Sequence, residues 1–123
     1  MKVMAVDTDP VELIRLSESI RKTTPPGTSV ECFRDPLFAL QYAYDNQRQV
    51  DILYTVAQMQ RLSGFDLARQ MSKTSPELRV CLLWDNDEFR EDAQRLGADG
   101  YIIKPPTMEA LQKAHDEAED GED

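Results

Sequence analysis

V-D-I-L-Y-T-V-A-Q-M-Q-R-L-S-G, from Val50 to Gly64, changes character at its middle. Asp51 to Thr55 is a short apolar run of β-favouring residues, which predicts a buried strand. Gln58 to Gly64 is polar and ends in glycine, which predicts a loop leading into a helix at Phe65. Strand, loop and helix in that order form the unit of an open α/β sheet. In such sheets the carboxyl ends of the strands are where ligands bind and chemistry happens. The residue at that end is Val56, whose side chain carries no polar atom.

The same unit recurs on both sides of this segment. Upstream, Lys2–Val6 reads as a first buried strand. Asp9 suits an N-cap, Pro10 the first helical position, and Glu12 the far end of a capping box. Leu13, Leu16 and Ile20 give the first helix one apolar face, as far as about Lys22. Thr23 to Gly27 breaks it. Ser29–Phe33 alternates as a second strand. Asp35-Pro36 then starts a second helix, with Leu37, Leu40 and Tyr44 on its expected buried face and Asp45-Asn46 at its end. Downstream, the third helix is expected from Phe65 to about Ser72, with Phe65, Leu67 and Met71 as core. Ser75-Pro76 forms a turn and Leu78–Trp84 a fourth strand. Asp85 to Asp87 forms a loop and cap. Phe89, Ala93 and Leu96 mark a fourth helix, which stops at Gly97. Gly100–Ile103 is a fifth strand, and Thr107 caps a last helix to about Ala118. Helices of crossover length between strands predict a doubly wound, five-stranded parallel sheet of order 2-1-3-4-5, a flavodoxin-like α/β fold. One domain is expected over residues 1–118, followed by an acidic tail over 119–123.

Length and composition fit one core and no membrane span: the chain has 123 residues, 41% of them hydrophobic. Met1-Lys2 runs straight into a strand, so no secretory signal is expected and the default compartment is the cytoplasm. The net charge is −9. Six acids lie from Asp116 onward with no Lys or Arg, leaving about −3 for the body. Such a charge repels a phosphate backbone, so no nucleic-acid binding is expected. Cys32 and Cys81 sit in strand-like runs and are expected to be small core residues. The single His115 has no partner nearby in sequence. Neither pattern has metal-ligand spacing.

In the 2-1-3-4-5 order the strand ends gather Asp7, Thr8 and Asp9, then Val56, then Trp84 and Asp85, then Lys104 before Pro105. One or two carboxylates beside a lysine suit a small cation-and-phosphate site. Three pieces, V-D-T-D-P at Val6–Pro10, the Val50–Gly64 segment, and G-A-D-G-Y-I-I-K-P at Gly97–Pro105, resemble the receiver domain of the bacterial response-regulator family. D-P-L-F-A-L at Asp35 is also typical of it, and the likeness covers residues 1–118. The resemblance implies an acidic pair after the first strand that holds a divalent cation. It implies an Asp after the third strand that accepts a phosphoryl group from a histidine kinase, and a Thr or Ser after the fourth that bonds that group. It also implies a Lys after the fifth strand that neutralises the group, and an aromatic residue on that strand whose rotamer is the readout.

Carried over position by position, Asp7 matches the first acid and Thr8 replaces the second. Val56, eight residues before Gly64, stands where the acceptor Asp belongs. Gln60 replaces the usual Pro, and Trp84 replaces the Thr or Ser. Tyr101 and Lys104 are retained, as is Pro105, whose preceding peptide bond is expected to be cis by the resemblance. Valine has no nucleophilic oxygen, and Asp7 alone makes a poor magnesium site. Thr55 is one step early and faces the other way. Asp9 and Asp85 are expected as cap and loop residues. Trp84 is expected to cover Val56 and Ala57, and Lys104 to pair with Asp7.

The expected function is therefore a degenerate receiver that signals by binding another protein without phosphorylation and needs no cofactor. One form of that binding is a homodimer through the face of the fourth helix, fifth strand and fifth helix, with Asp87, Arg90, Glu91, Tyr101 and Lys113. The alternative is the regulatory input half of a two-component transcription regulator whose output domain is not in this chain. No G-x-G-x-x-G, P-loop, Ser/His/Asp set or paired carboxylates point to an enzyme.

Overall fold

A computed structural model describes residues 1–120, the side chains of 117–120 excepted. Strands and helices alternate: β1 (Lys2–Val6), α1 (Pro10–Thr23), β2 (Ser29–Phe33), α2 (Pro36–Asp45), β3 (Ile52–Val56), α3 (Gly64–Thr74), β4 (Arg79–Trp84), α4 (Arg90–Leu96), β5 (Gly100–Ile103) and α5 (Met108–Asp120). The strands form one parallel sheet in the order β2-β1-β3-β4-β5, as expected. The last helix continues past Ala118 to Asp120. Of the expected acidic tail, residues 121–123 lie outside the described residues.

Alternation along the strands sends side chains into two core layers. Val3, Ala5, Ile52, Tyr54, Cys81 and Leu83 face the side closed by Leu13, Leu16 and Ile20 of α1 and Leu111 of α5. Met4, Val6, Leu53, Val80 and Leu82 face the side closed by α2, α3 and α4. The central strand β3 is buried along its whole length. That explains its unbroken apolar run, because both faces of a parallel sheet are covered.

Several local expectations change. Asp9 caps α1 by accepting from the Val11 and Glu12 amides, but the reciprocal half of the capping box is absent. The Asp9 amide donates to Asp7 Oδ1 instead, at 2.9 Å, so Glu12 is left to face Arg15 and Lys104. On α2 the buried residues are Pro36, Ala39 and Ala43. Leu37 and Tyr44, expected inside, are 45% and 44% exposed. The small alanines let the helix lie close to the sheet and turn the larger side chains outward. Cys81 is buried as expected, whereas Cys32 is exposed, because β2 is an edge strand with a neighbour on one side only. Helix α4 starts late, at Arg90, with Phe89 at its N-cap and no side-chain cap. Asp87 contributes only its carbonyl, which accepts the Arg90 amide. Gly97 ends α4 at φ 83°, the left-handed conformation that favours glycine. Thr107 Oγ1 accepts the Ala110 amide at the start of α5.

Candidate functional site

Sheet hydrogen bonding runs one residue beyond three of the strands and fixes the site's frame. The Asp7 amide donates to the Phe33 carbonyl, Ala57 to Leu83, and Lys104 to Trp84, at 3.1, 3.0 and 2.8 Å. Asp7, Val56 and Lys104 continue the phase of Ala5, Tyr54 and Ile102, so their side chains leave the same face of the pleat.

Asp7 is buried and its two oxygens are both engaged. Oδ2 accepts from Lys104 Nζ at 2.8 Å, and Oδ1 accepts the Asp9 amide. The side chains of Asp7 and Lys104 keep 4% and 16% of their exposure, so this pair lies inside the protein. Glu12 Oε2 stands 4.0 Å from the same ammonium on its outer side. An enclosed pair gains Coulomb energy but has lost the hydration of both ions. Removing one partner therefore costs more than the pair contributes.

Val56 is 2% exposed. Gly64 packs on its carbonyl so closely that a Cβ at position 64 would collide with that oxygen. The Gly64 amide donates to the Ala57 carbonyl at 3.0 Å, closing the loop between β3 and α3 on itself. Thr55 points to the other face and is fully buried, with its hydroxyl on the Val56 carbonyl. Thr8, Asp9 and Asp85 are exposed.

Trp84 belongs to the same core layer as Ala57. Its ring stands edge-on to Phe89, centroids 5.4 Å apart, and its Nε1 donates to Glu88 at 2.6 Å. Phe89 in turn meets Phe65 edge-on at the start of α3. Tyr101 reaches the same loop: its hydroxyl donates to the Asn86 carbonyl at 2.6 Å and accepts the Phe89 amide at 3.3 Å. The Arg90 guanidinium lies 5.0 Å from the Tyr101 ring centre. Burial raises the Tyr101 phenol pKa, against the lowering effects of the Phe89 amide and Arg90. The loop between β4 and α4 is thus tied at both ends, by Trp84 through Glu88 and by Tyr101 through Asn86. The Lys104–Pro105 peptide bond is cis.

Magnesium does not fit these donors. It requires several oxygen ligands in near-octahedral array, and both Asp7 oxygens are taken, one of them by a cation. Among the described residues no three His, Cys, Asp or Glu side chains cluster to hold a metal ion. A cavity of 260 Å³ adjoins Lys104, but it opens over α1, past Arg15, Ser19 and Pro105, and Val56 does not line it. The larger cleft, 1220 Å³, is at the opposite end of the sheet, between Lys73, Arg79 and Leu96, away from all of these residues.

Sequence reasoning missed two contacts. Glu88 four residues after Trp84 could have suggested the indole bond. His115, which has no partner nearby in sequence, is 1% exposed and bonded to the distant Tyr54 and Thr23. Its spacing of four from the buried Leu111 was the available signal.

Comparison with known proteins agrees with the fold. Residues 3–116 match the model of the response regulator receiver domain. The response regulator MprA of Mycobacterium leprae (strain TN) is 32% identical over 114 residues, 90% of this chain and 47% of that protein. The chain thus spans about half the length of the curated relatives it matches. Among solved structures, a response regulator receiver domain protein from Clostridium thermocellum superposes with a TM-score of 0.87 at 24% identity, covering 98% of this chain and 95% of that one. The response regulatory domain of mrkE from Klebsiella pneumoniae does so with 0.84 at 25% identity, covering 98% and 99%. The chain belongs to the response regulator receiver domain family.

Proposed function

We propose that this chain is a degenerate receiver, one that serves two-component signalling by binding a protein partner without being phosphorylated. The observation that carries this reading is the end of β3. A closed valine occupies the place of the acceptor carboxylate, and the nearby Lys104 ammonium is already neutralised by Asp7 at 2.8 Å. An aspartyl phosphate needs a carboxylate oxygen as nucleophile, which Val56 lacks. Trp84 in place of a hydroxyl residue, and Thr8 in place of a second acid, point the same way. On this reading Tyr101 no longer reports a phosphoryl group. It holds the β4–α4 loop in one position, and with it the face formed by α4, β5 and α5. That face carries Arg90, Glu91 and Tyr101, suits a second copy of this chain or a signalling partner, and makes no use of a metal, a nucleic acid or a membrane.

Incubation with acetyl phosphate and magnesium tests the reading by intact mass. The mass is expected to stay unchanged. An adduct of about 80 Da, one phosphoryl group, mapped to any Asp would overturn it.

A second reading rests on the length of the relatives. A receiver of this kind would serve as the regulatory half of a two-component transcription regulator with a separate output domain. The gene sequence downstream of Asp123 decides between a free-standing module and such a half.

A further inference from the structure

His115 is the one histidine of the chain. It sits on α5, buried against two other elements. Its Nε2 lies 3.0 Å from Thr23 Oγ1 in the last turn of α1, and its Nδ1 lies 3.3 Å from the Tyr54 hydroxyl on β3. The Tyr54 and His115 rings also meet edge-on, centroids 5.8 Å apart.

Both ring nitrogens face a hydroxyl, and a neutral ring, one nitrogen donating and one accepting, suits that pattern. The Thr23 hydroxyl hydrogen is directed to helix carbonyls, those of Ser19 and Ile20 at 3.1 and 3.0 Å. With that hydrogen on a helix carbonyl, the Thr23 oxygen accepts from the histidine, which corresponds to the tautomer with the proton on Nε2. Nδ1 is left as an acceptor, and the Tyr54 hydroxyl donates to it. Every polar atom in the triad is satisfied with a neutral ring. A second ring proton on Nδ1 would face the Tyr54 oxygen and turn the phenolic hydrogen away from it. That hydrogen would lose its acceptor in a layer built of Ile20, Ile52, Leu83 and Leu111.

The surroundings offer an added charge little support. Behind Tyr54 on β4 lies the buried Cys81 thiol. On α1, Arg21 and Lys22 beside Thr23 are exposed to solvent. Among the described side chains, the acid that acts on the ring is Asp116, next to it on α5. Burial outweighs Asp116 and holds the His115 pKa below the usual histidine value.

We infer that His115 is an acid-sensitive latch: its neutral ring ties α5 to α1 and β3, and protonation releases α5 while the rest of the sheet stays folded. Helix α5 is the element suited to such release. Among its described side chains, Leu111 and His115 are its fully buried anchors. The inference stands on the triad and is independent of whether Val56 can be replaced functionally.

The sign follows from linkage. The free ring titrates near 6.5 and the docked ring lower. The released state therefore takes up a proton that the docked state refuses, and docking weakens as pH falls below 6.5. For a ring that stays neutral while docked, the opening equilibrium of α5 rises about eightfold between pH 7 and pH 5.5.

The test is hydrogen exchange by NMR on the untagged chain, corrected for intrinsic rates, with the ring followed in the same samples. A single histidine makes its ring signals unambiguous. Protection of α5 amides is expected to fall about eightfold over that range while β1 and β3 amides hold, and His115→Gln, which cannot titrate, is expected to abolish the difference. Loss of protection in β1 and β3 in step with α5 would overturn the inference, as would a ring that titrates near 6.5 with α5 undisturbed. If His115→Gln does not fold, Thr23→Val, which keeps the histidine but removes its Nε2 partner, is expected to shift the α5 transition to higher pH. No shift would count against the latch.

Discussion

Lys104 and Asp7 show how much a single contact depends on where it lies. On an exposed surface their pair would be worth little. Here the carboxylate is buried, with its second oxygen satisfied by the Asp9 amide, so the ammonium is its only charge partner among the described contacts. Lys104→Met keeps an unbranched apolar stem and removes the charge. It leaves a desolvated carboxylate behind, and a loss of about 1–3 kcal/mol is expected in urea unfolding. The double variant with Asp7→Asn removes the stranded charge as well and should recover part of that loss. A loss in the double variant equal to the sum of the losses of the two single variants would mean that the two side chains are not coupled. On the reading proposed above, that lysine serves to hold Asp7 and not a phosphoryl group.

At the scale of elements, the helix starts carry the clearest sequence signals. Asp9 and Asp35 precede prolines and cap α1 and α2 through their side chains. Asp9→Ala removes the acceptor of two amides, those of Val11 and Glu12, and should cost about 1 kcal/mol in thermal or urea unfolding. It should leave the Asp7–Lys104 pair intact, because Asp7 is held by the backbone amide of residue 9 and not by its side chain. An unchanged midpoint would place the start of α1 under the control of Pro10 and packing alone. The strands were equally legible, since β1, β3 and β4 are buried on both faces and therefore read as continuous apolar runs. What the sequence hid was the choice between faces and between distant partners. Leu37, Leu40 and Tyr44 fit a helical stripe as well as Ala39 and Ala43 do. Only the closeness of α2 to the sheet selects the alanines. Cys32 alternates like a core residue, and nothing local marks β2 as the edge. The partners of His115 lie 61 and 92 positions away, beyond any local pattern. The strand-end residues lie on the elements read for them, yet the Tyr101–Asn86 bond that fixes the β4–α4 loop emerges only in three dimensions.

Over the whole molecule, charge decides how two copies could meet. Each carries −9, so they repel at long range. On α4, however, Arg95 pairs with Glu91 and Asp92 at 3.7 and 3.3 Å, all three well exposed. Intrahelical pairs this exposed are weak and exchange readily for a neighbour's charges. A two-fold axis across α4, β5 and α5 would set Arg90 and Arg95 of one copy against the acids of the other, the self-complementary arrangement that such symmetry requires. These two effects respond differently to salt. At about 0.01 M the screening length is about 30 Å and the whole charge of each copy is felt; at about 0.15 M it is about 8 Å and only close contacts remain; at about 1 M, about 3 Å, those are screened too. A homodimer through this face is therefore expected to be most populated near 0.15 M, as read by light scattering on a size-exclusion column. The double variant Arg90→Glu, Arg95→Glu should be monomeric throughout. Dimerisation that grows steadily with salt would instead assign the contact to apolar side chains such as Val11, Ile14 and Phe38, which are 53%, 58% and 70% exposed. A monomer at every salt concentration would remove the homodimer and leave the α4–β5–α5 face to a different protein, whose charges the same two arginine substitutions would then be used to find.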